Sequence, residues 1–125
     1  MDRESLLAAC LAQPEANEEF PFGDDVSVCK VAGKMFALIP VAATPPSISL
    51  KCDPDHAISL RSQYEAVTGG YHLNKRHWNT VVVDGSIEDT LIEQWVEDSF
   101  DLVVDGLPKA TRLRIQGQVR GQSGD

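Results

Sequence analysis

Apolar positions along the chain change period several times, and each change marks an element. From Arg3 to Ala12, Leu6, Leu7, Cys10 and Leu11 recur at helical spacing, and Pro14 predicts where that helix stops. Residues 15–19 are polar and predict a loop. It leads into Phe20-Pro21-Phe22-Gly23, an aromatic turn whose two phenylalanines are expected to plug one end of the core. From Val26 the period becomes two. A strand from Val26 to Val31, the turn signal Ala32-Gly33, and a nearly continuous apolar strand from Met35 to Val41 finishing near Pro40 come first. The alternating Ser47-Ile48-Ser49-Leu50-Lys51-Cys52 follows, so the three strands predict an antiparallel meander.

Asp53-Pro54-Asp55 then predicts a helix start. Asp53 suits the N-cap, Pro54 suits the first helical position because its missing N–H costs nothing there, and Asp55 complements the helix dipole. Ala57, Leu60, Tyr64 and Val67 form its buried face, and Thr68-Gly69-Gly70 is expected to end it. The β-branched run from Trp78 to Val83 predicts a fourth strand. Asp84-Gly85 turns the chain, and Ser86 caps the longest helix, residues 87–104. Its apolar stripe is Ile87, Leu91, Ile92, Trp95, Val96, Phe100 and Val103, with Glu88, Asp89, Glu93, Glu97 and Asp101 opposite. Gly106-Leu107-Pro108 opens a short last helix through Arg114. The expected architecture is α+β: a single domain over residues 1–115, an antiparallel sheet with helices packed on it, and a flexible C-terminal tail over residues 116–125.

Composition narrows the function classes. With 125 residues, 42% hydrophobic and 24% charged, the chain has the make-up of one soluble globular domain, which excludes wholesale disorder. A formal net charge of −8 excludes a generally basic nucleic-acid coat protein, while a local basic patch remains open. No apolar run approaches the roughly 18 residues of a membrane span, and Met1-Asp2-Arg3-Glu4 lacks the apolar core of a leader. A cytoplasmic location without membrane contact is therefore expected. Cys10, Cys29 and Cys52 are odd in number and form no C-x-x-C pair, so reduced thiols are expected. His56, His72 and His77 lack metal-ligand spacing, so neither a metal nor a cofactor is expected.

Charge is segregated along the chain. Asp84 to Asp105 holds eight acids and no Lys or Arg, whereas Tyr71 to Val83 holds Lys75 and Arg76 with no acid. The stretch Tyr71-His72-Leu73-Asn74-Lys75-Arg76-His77-Trp78-Asn79 combines cations, amides and aromatics, a mixture suited to nucleic acid. In that reading Lys75 and Arg76 bind phosphate, His72 and Asn74 position the strand, and Tyr71 or Trp78 stacks on a base. Lys30, Lys34 and Lys51 extend the patch if the strands bring them close. The structural alternative has Tyr71 and Trp78 anchoring the loop in the core while Asn74 and His77 satisfy backbone groups.

Several blocks resemble the YjbR/MmcQ family of small bacterial proteins: Phe20-Pro21-Phe22-Gly23, the run from Lys30 to Ala37, Leu50-Lys51-Cys52-Asp53-Pro54, the long block from Gly70 to Val81, Asp84-Gly85-Ser86, Leu102-Val103-Val104 and Leu107-Pro108-Lys109. They follow family order over residues 20–109. Gly69 departs from the family pattern, which has proline before Gly-Tyr-His. The resemblance implies a CyaY-like or double-wing α+β fold. Its members are commonly named as DNA-binding proteins, a name resting on shape, and it brings no catalytic activity.

Two functions follow for test: a DNA-binding module acting through residues 71–79, or a protein-interaction or small-ligand module without nucleic acid, with the acidic helix 87–104 meeting a basic protein partner. An enzyme is not expected. The chain has no nucleophile elbow, P-loop or dinucleotide fingerprint, and a Cys/His pair such as Cys52 with His72 is what it leaves to an enzyme.

Overall fold

The computed structural model describes residues 1–70 and 73–123. Helix α1 (Arg3–Leu11) starts on a reciprocal cap: the Asp2 carboxylate accepts the Ser5 N–H at 2.8 Å, and Ser5 Oγ accepts the Asp2 N–H at 2.9 Å. These bonds from Ser5 hold the Asp2 carboxyl below its ordinary range. Leu6 and Cys10 are the buried side of α1, and Arg3 hydrogen-bonds Ser27 Oγ in the strand beneath.

The strands are β1 (Asn17–Glu19), β2 (Val26–Val31), β3 (Lys34–Pro40), β4 (Ser47–Lys51), β5 (Val67–Gly69) and β6 (Trp78–Val82). Among the described residues they form one six-stranded sheet in the order β1-β2-β3-β4-β6-β5, every pair antiparallel. The predicted meander is β2-β3-β4. It turns on Ala32 and Gly33, both at positive φ, and carries a bulge where Cys29 and Lys30 meet β3.

Three helices cover one face of the sheet. Helices α1 and α3 (Asp89–Asp105) lie over β2, β3 and β4, and α2 (Pro54–Gln63) lies over β5 and β6. The core fills this interface with Phe36, Ile39, Ile48, Leu50 and Val81 from the sheet and Ile92, Val96, Phe100 and Val104 from α3. On the other face Ser49 and Thr80, directly opposed in register, share a 2.8 Å hydroxyl hydrogen bond. Alternation places Lys51 and Trp78, the next opposed pair, on that same face. No helix of the described residues is long and apolar enough to cross a membrane.

Several expectations need correction. Residues 17–19, read as loop, pair with β2 as an edge strand. Phe20 and Phe22 do not plug the core; they are 47% and 62% exposed. Helix α2 stops at Gln63 instead of continuing past Val67 to a stop at Thr68-Gly69-Gly70. Tyr64 is already extended, and Val67 to Gly69 pair with Val81 to Asn79, where ladder hydrogen bonds outweigh another helical turn. Asp53 sits at the N-cap of α2 but makes no side-chain cap bond, so Pro54 sets the start. Ser86 does not cap α3 either. Its N–H and Oγ both donate to Asp84 Oδ1, at 3.0 and 2.6 Å, closing a turn around Gly85, and α3 begins at Asp89 after Glu88.

Helix α4 (Lys109–Ser123) runs well past Arg114, through most of the span read as tail. Its Ile115 is buried, and Glu15 receives two hydrogen bonds from the Arg114 guanidinium, at 3.0 and 2.8 Å, and one from Gln118. Arg114, and after it Gln118, hold the Glu15 carboxyl below the usual carboxylate range.

Candidate functional site

The residues singled out in the sequence gather mainly at one end of the sheet. Lys30 and Lys34 flank the β2–β3 turn, Lys51 ends β4, and Lys75 and Arg76 lie in the loop that enters β6. Lys30 is bound to Glu19 at 3.1 Å, and it is the member of this set with a carboxylate partner among the described residues. Lys75 and Arg76 are exposed. Lys75 Nζ lies 3.4 Å from the Gly70 carbonyl, and its own carbonyl accepts from Arg61 Nη1 at 2.9 Å. Asn74 Oδ1 accepts the Arg76 N–H at 2.9 Å, so this amide shapes the loop backbone. Trp78 is only 7% exposed, on the sheet face away from the helix-covered core. Gly70 is required beside it, because a Cβ there would stand 2.8 Å from Trp78 Cβ. Tyr71 and His72 lie outside the described residues.

A second site lies on the helix-covered face, and the sequence reading did not assemble it. A cleft of about 260 Å³ opens between the sheet, α2 and α3. Leu50, Asn79 and Val81 line it from the sheet, Cys52, Asp53, His56 and Leu60 from the start and inner side of α2, and Trp95, Asp98, Asp101, Leu102 and Asp105 from α3. Thus the acidic helix lends three carboxylates to a cavity wall. A wider hollow of about 430 Å³ near Tyr64, Val82 and Ser86 is lined mostly by exposed polar side chains.

The cleft has two chemical peculiarities. Asn79 is 3% exposed; its Nδ2 donates to the Ala57 carbonyl at 3.2 Å, while Oδ1 is buried and has no hydrogen-bond partner among the described residues. A buried acceptor left unpaired costs about 1–3 kcal/mol, so native folds seldom keep one without a use. Register places Asn79 opposite Leu50 on the lining of the cleft.

The second peculiarity is Cys52. Its Sγ lies 3.5 Å from Nδ1 of His56, four residues on, while the expected partner His72 lies outside the described residues. Burial, then the charges of Asp53 and Asp98, push the Cys52 thiol up to about 11. The thiol therefore stays protonated at neutral pH and is a poor nucleophile. Cys10 and Cys29 are also free and buried, in contact with each other, and that contact and burial hold the Cys10 proton far above the ordinary thiol range. Among the described residues no group of three or more His, Cys, Asp or Glu could hold a metal ion.

Comparison with known proteins agrees with the fold. The YjbR family model matches residues 11–102. YbdF of Escherichia coli O157:H7 is 35% identical over 120 residues, 93% of this chain and 98% of that protein. YjbR of Escherichia coli K12 is 36% identical over 112 residues, covering 90% and 95%. Both are named as uncharacterised proteins. A crystal structure of a Deinococcus radiodurans protein with a DUF419 domain superposes with a TM-score of 0.84 at 35% identity, covering 90% of this chain and 86% of that one.

Proposed function

The chain belongs to the YjbR family, and because that family's name carries no activity we propose its function from the geometry: it is a binding module, not an enzyme, whose cleft between β4, β6, α2 and α3 takes a small ligand. The observation that carries this reading is Asn79, a buried amide with a free acceptor on the lining of an apolar-walled cleft. The volume lies just below the roughly 300–1,000 Å³ of drug-sized sites, so the ligand is small. The protonated Cys52 supports binding over thiol catalysis.

The test separates a functional asparagine from a structural one. Asn79→Leu gives up one hydrogen bond to Ala57, worth about 0.5–1.5 kcal/mol, and removes an unpaired buried acceptor costing about 1–3 kcal/mol. The variant is expected to melt at or above the wild-type temperature. It should also lose the amide chemical-shift changes that a panel of small primary amides and alcohols causes at Leu50, Cys52 and Trp95 in the native chain. A variant destabilised by more than about 1 kcal/mol with unchanged titrations would make Asn79 a structural residue and end this reading.

A second reading, nucleic-acid binding at the basic sheet end, is favoured by one observation: Lys34, Lys51, Lys75 and Arg76 gather there, and among the described residues none of them is ion-paired to a carboxylate. Its expected result is weak binding of a short DNA duplex at low salt by fluorescence anisotropy, lost on charge reversal at Lys75 and Arg76. No binding by the native chain, or the same binding after reversal, would remove it.

A further inference from the structure

We propose that the ligand of the cleft is a small organic cation, a protonated amine on a short apolar body, with its charge between Asp53 and Asp98 and an N–H directed to Asn79 Oδ1. The inference rests on the reading of the cleft as a ligand site and names the chemistry of its occupant.

Among the described residues the lining carries four carboxylates, Asp53, Asp98, Asp101 and Asp105, against His56 and one lysine. That lysine is Lys51, whose side chain strand alternation turns to the other face of the sheet. Among the described residues neither Asp53 nor Asp98 has an ion pair; Asp98 accepts only the Gln94 amide, at 2.9 Å. Both line the cleft together with Cys52, whose thiol pKa their charges raise. Arg61 also acts there, but one arm of its guanidinium is bound to the Lys75 carbonyl.

Helix α3 adds its own negative potential to this wall of the cleft. Asp98, Asp101 and Asp105 stand in its C-terminal half, where the helix dipole is negative, and its last turn has no basic residue. Like charges at this spacing repel one another as well. A bound cation would offset both terms. The apolar part of the lining, Leu50, Leu60, Val81, Trp95 and Leu102, suits a hydrocarbon or ring better than a hydrated ion. An anion would meet carboxylates and bring no donor for Asn79 Oδ1. A protonated amine supplies the charge, the donors and an apolar stem together.

The experiment compares three probes of like size in the native full-length chain by ¹⁵N NMR titration: 2-phenylethylamine, 2-phenylethanol and 3-phenylpropionate. The amine is expected to perturb Cys52, Asn79 and Trp95 and to bind about tenfold tighter than the alcohol, the ratio one charge-assisted hydrogen bond supplies. The carboxylate should bind weakest. Asp53→Asn with Asp98→Asn should bring the amine-to-alcohol ratio below about threefold while leaving the alcohol's affinity in place, which also reports that the variant is folded. Asp98→Asn alone gives the same test with an intermediate ratio should the double variant not fold. An alcohol that binds the native chain as well as the amine overturns the cation and leaves the cleft reading standing, as does a ratio unmoved by the aspartate variants. Absence of perturbation in the cleft by all three probes overturns the inference together with the reading beneath it.

Discussion

Replacing Phe100 with alanine is expected to lower the free energy of unfolding by about 3–5 kcal/mol, the range for deleting a fully enclosed aromatic ring. Phe100 is 1% exposed on the inner side of α3 and meets Phe36 of β3 edge to face, with ring centroids 5.5 Å apart and planes at 83°. The loss has two parts: the buried ring's transfer free energy with the cavity it leaves, and the aromatic contact, worth about 0.5–1.5 kcal/mol beyond area. A double-mutant cycle with Phe36→Leu separates them, and urea denaturation measures each corner. Phe100→Leu should recover at least half of the loss, because it refills most of the volume. A Phe100→Ala cost under about 1.5 kcal/mol would mean that α3 is not packed on the sheet as described.

The elements legible in the sequence are those whose stability is local. Helix α1, the β2–β3 turn on Ala32-Gly33, the alternation of β4, the β-branched run of β6 and the stripe of α3 each announce themselves within a few residues. The three-residue strands β1 and β5 do not. Asn17 to Glu19 has no apolar period at all and is a strand only because β2 lies beside it. Val67 to Gly69 continues the helical spacing of Ala57 and Leu60 and is drawn into the sheet by β6. The start of α3 was displaced for a related reason: Ser86 has two local uses, and the hydrogen bonds to Asp84 win over the cap.

The cleft was hidden because its parts come from three distant segments: Cys52 to Leu60, Asn79, and Trp95 to Asp105. Two signals for it were nonetheless present. Asn79 interrupts an otherwise β-branched and aromatic strand, where an amide is disfavoured unless something needs it. Asp98, Asp101 and Asp105 sit toward the C-terminal end of a helix, against its dipole, with no Lys or Arg between Asp84 and Asp105 to compensate. Read as a solvated face, the acidic run looks ordinary; the structure separates Asp98, Asp101 and Asp105, which line the cleft, from Glu93 and Glu97, which face solvent away from it. The nine-residue basic and aromatic stretch drew attention by composition, yet Trp78 is buried against Gly70 and Asn74 bonds the loop backbone.

Ser99→Ala is expected to cost about 2–4 kcal/mol, unusually much for removing one oxygen, because that oxygen joins two strands to a helix. Ser99 is wholly buried in α3. Its hydroxyl donates to the Phe36 carbonyl of β3 at 2.6 Å and accepts the Lys51 N–H of β4 at 2.8 Å. The pairing of β3 with β4 is short, spanning Ala37 with Leu50 and Leu38 with Ser49, so Phe36 and Lys51 lie just past its end. The serine hydroxyl thus closes the ladder where the backbones separate, and alanine would leave a buried carbonyl and an amide unpaired, each costing about 1–3 kcal/mol. Ser99→Thr keeps the hydroxyl and should lose less than half as much, the remainder coming from fitting a methyl into a closed site. Chemical denaturation measures both, and hydrogen exchange at Lys51 gives the local readout: faster in the alanine variant, near native in the threonine one. The same bond ties the cleft together, since Leu50, Lys51 and Cys52 line one side of it and Trp95, Asp98 and Leu102 the other. An alanine variant within about 1 kcal/mol of the native chain, with Lys51 exchange unchanged, would show that water or a shifted backbone replaces the hydroxyl and that the β4–α3 geometry of the cleft does not depend on it.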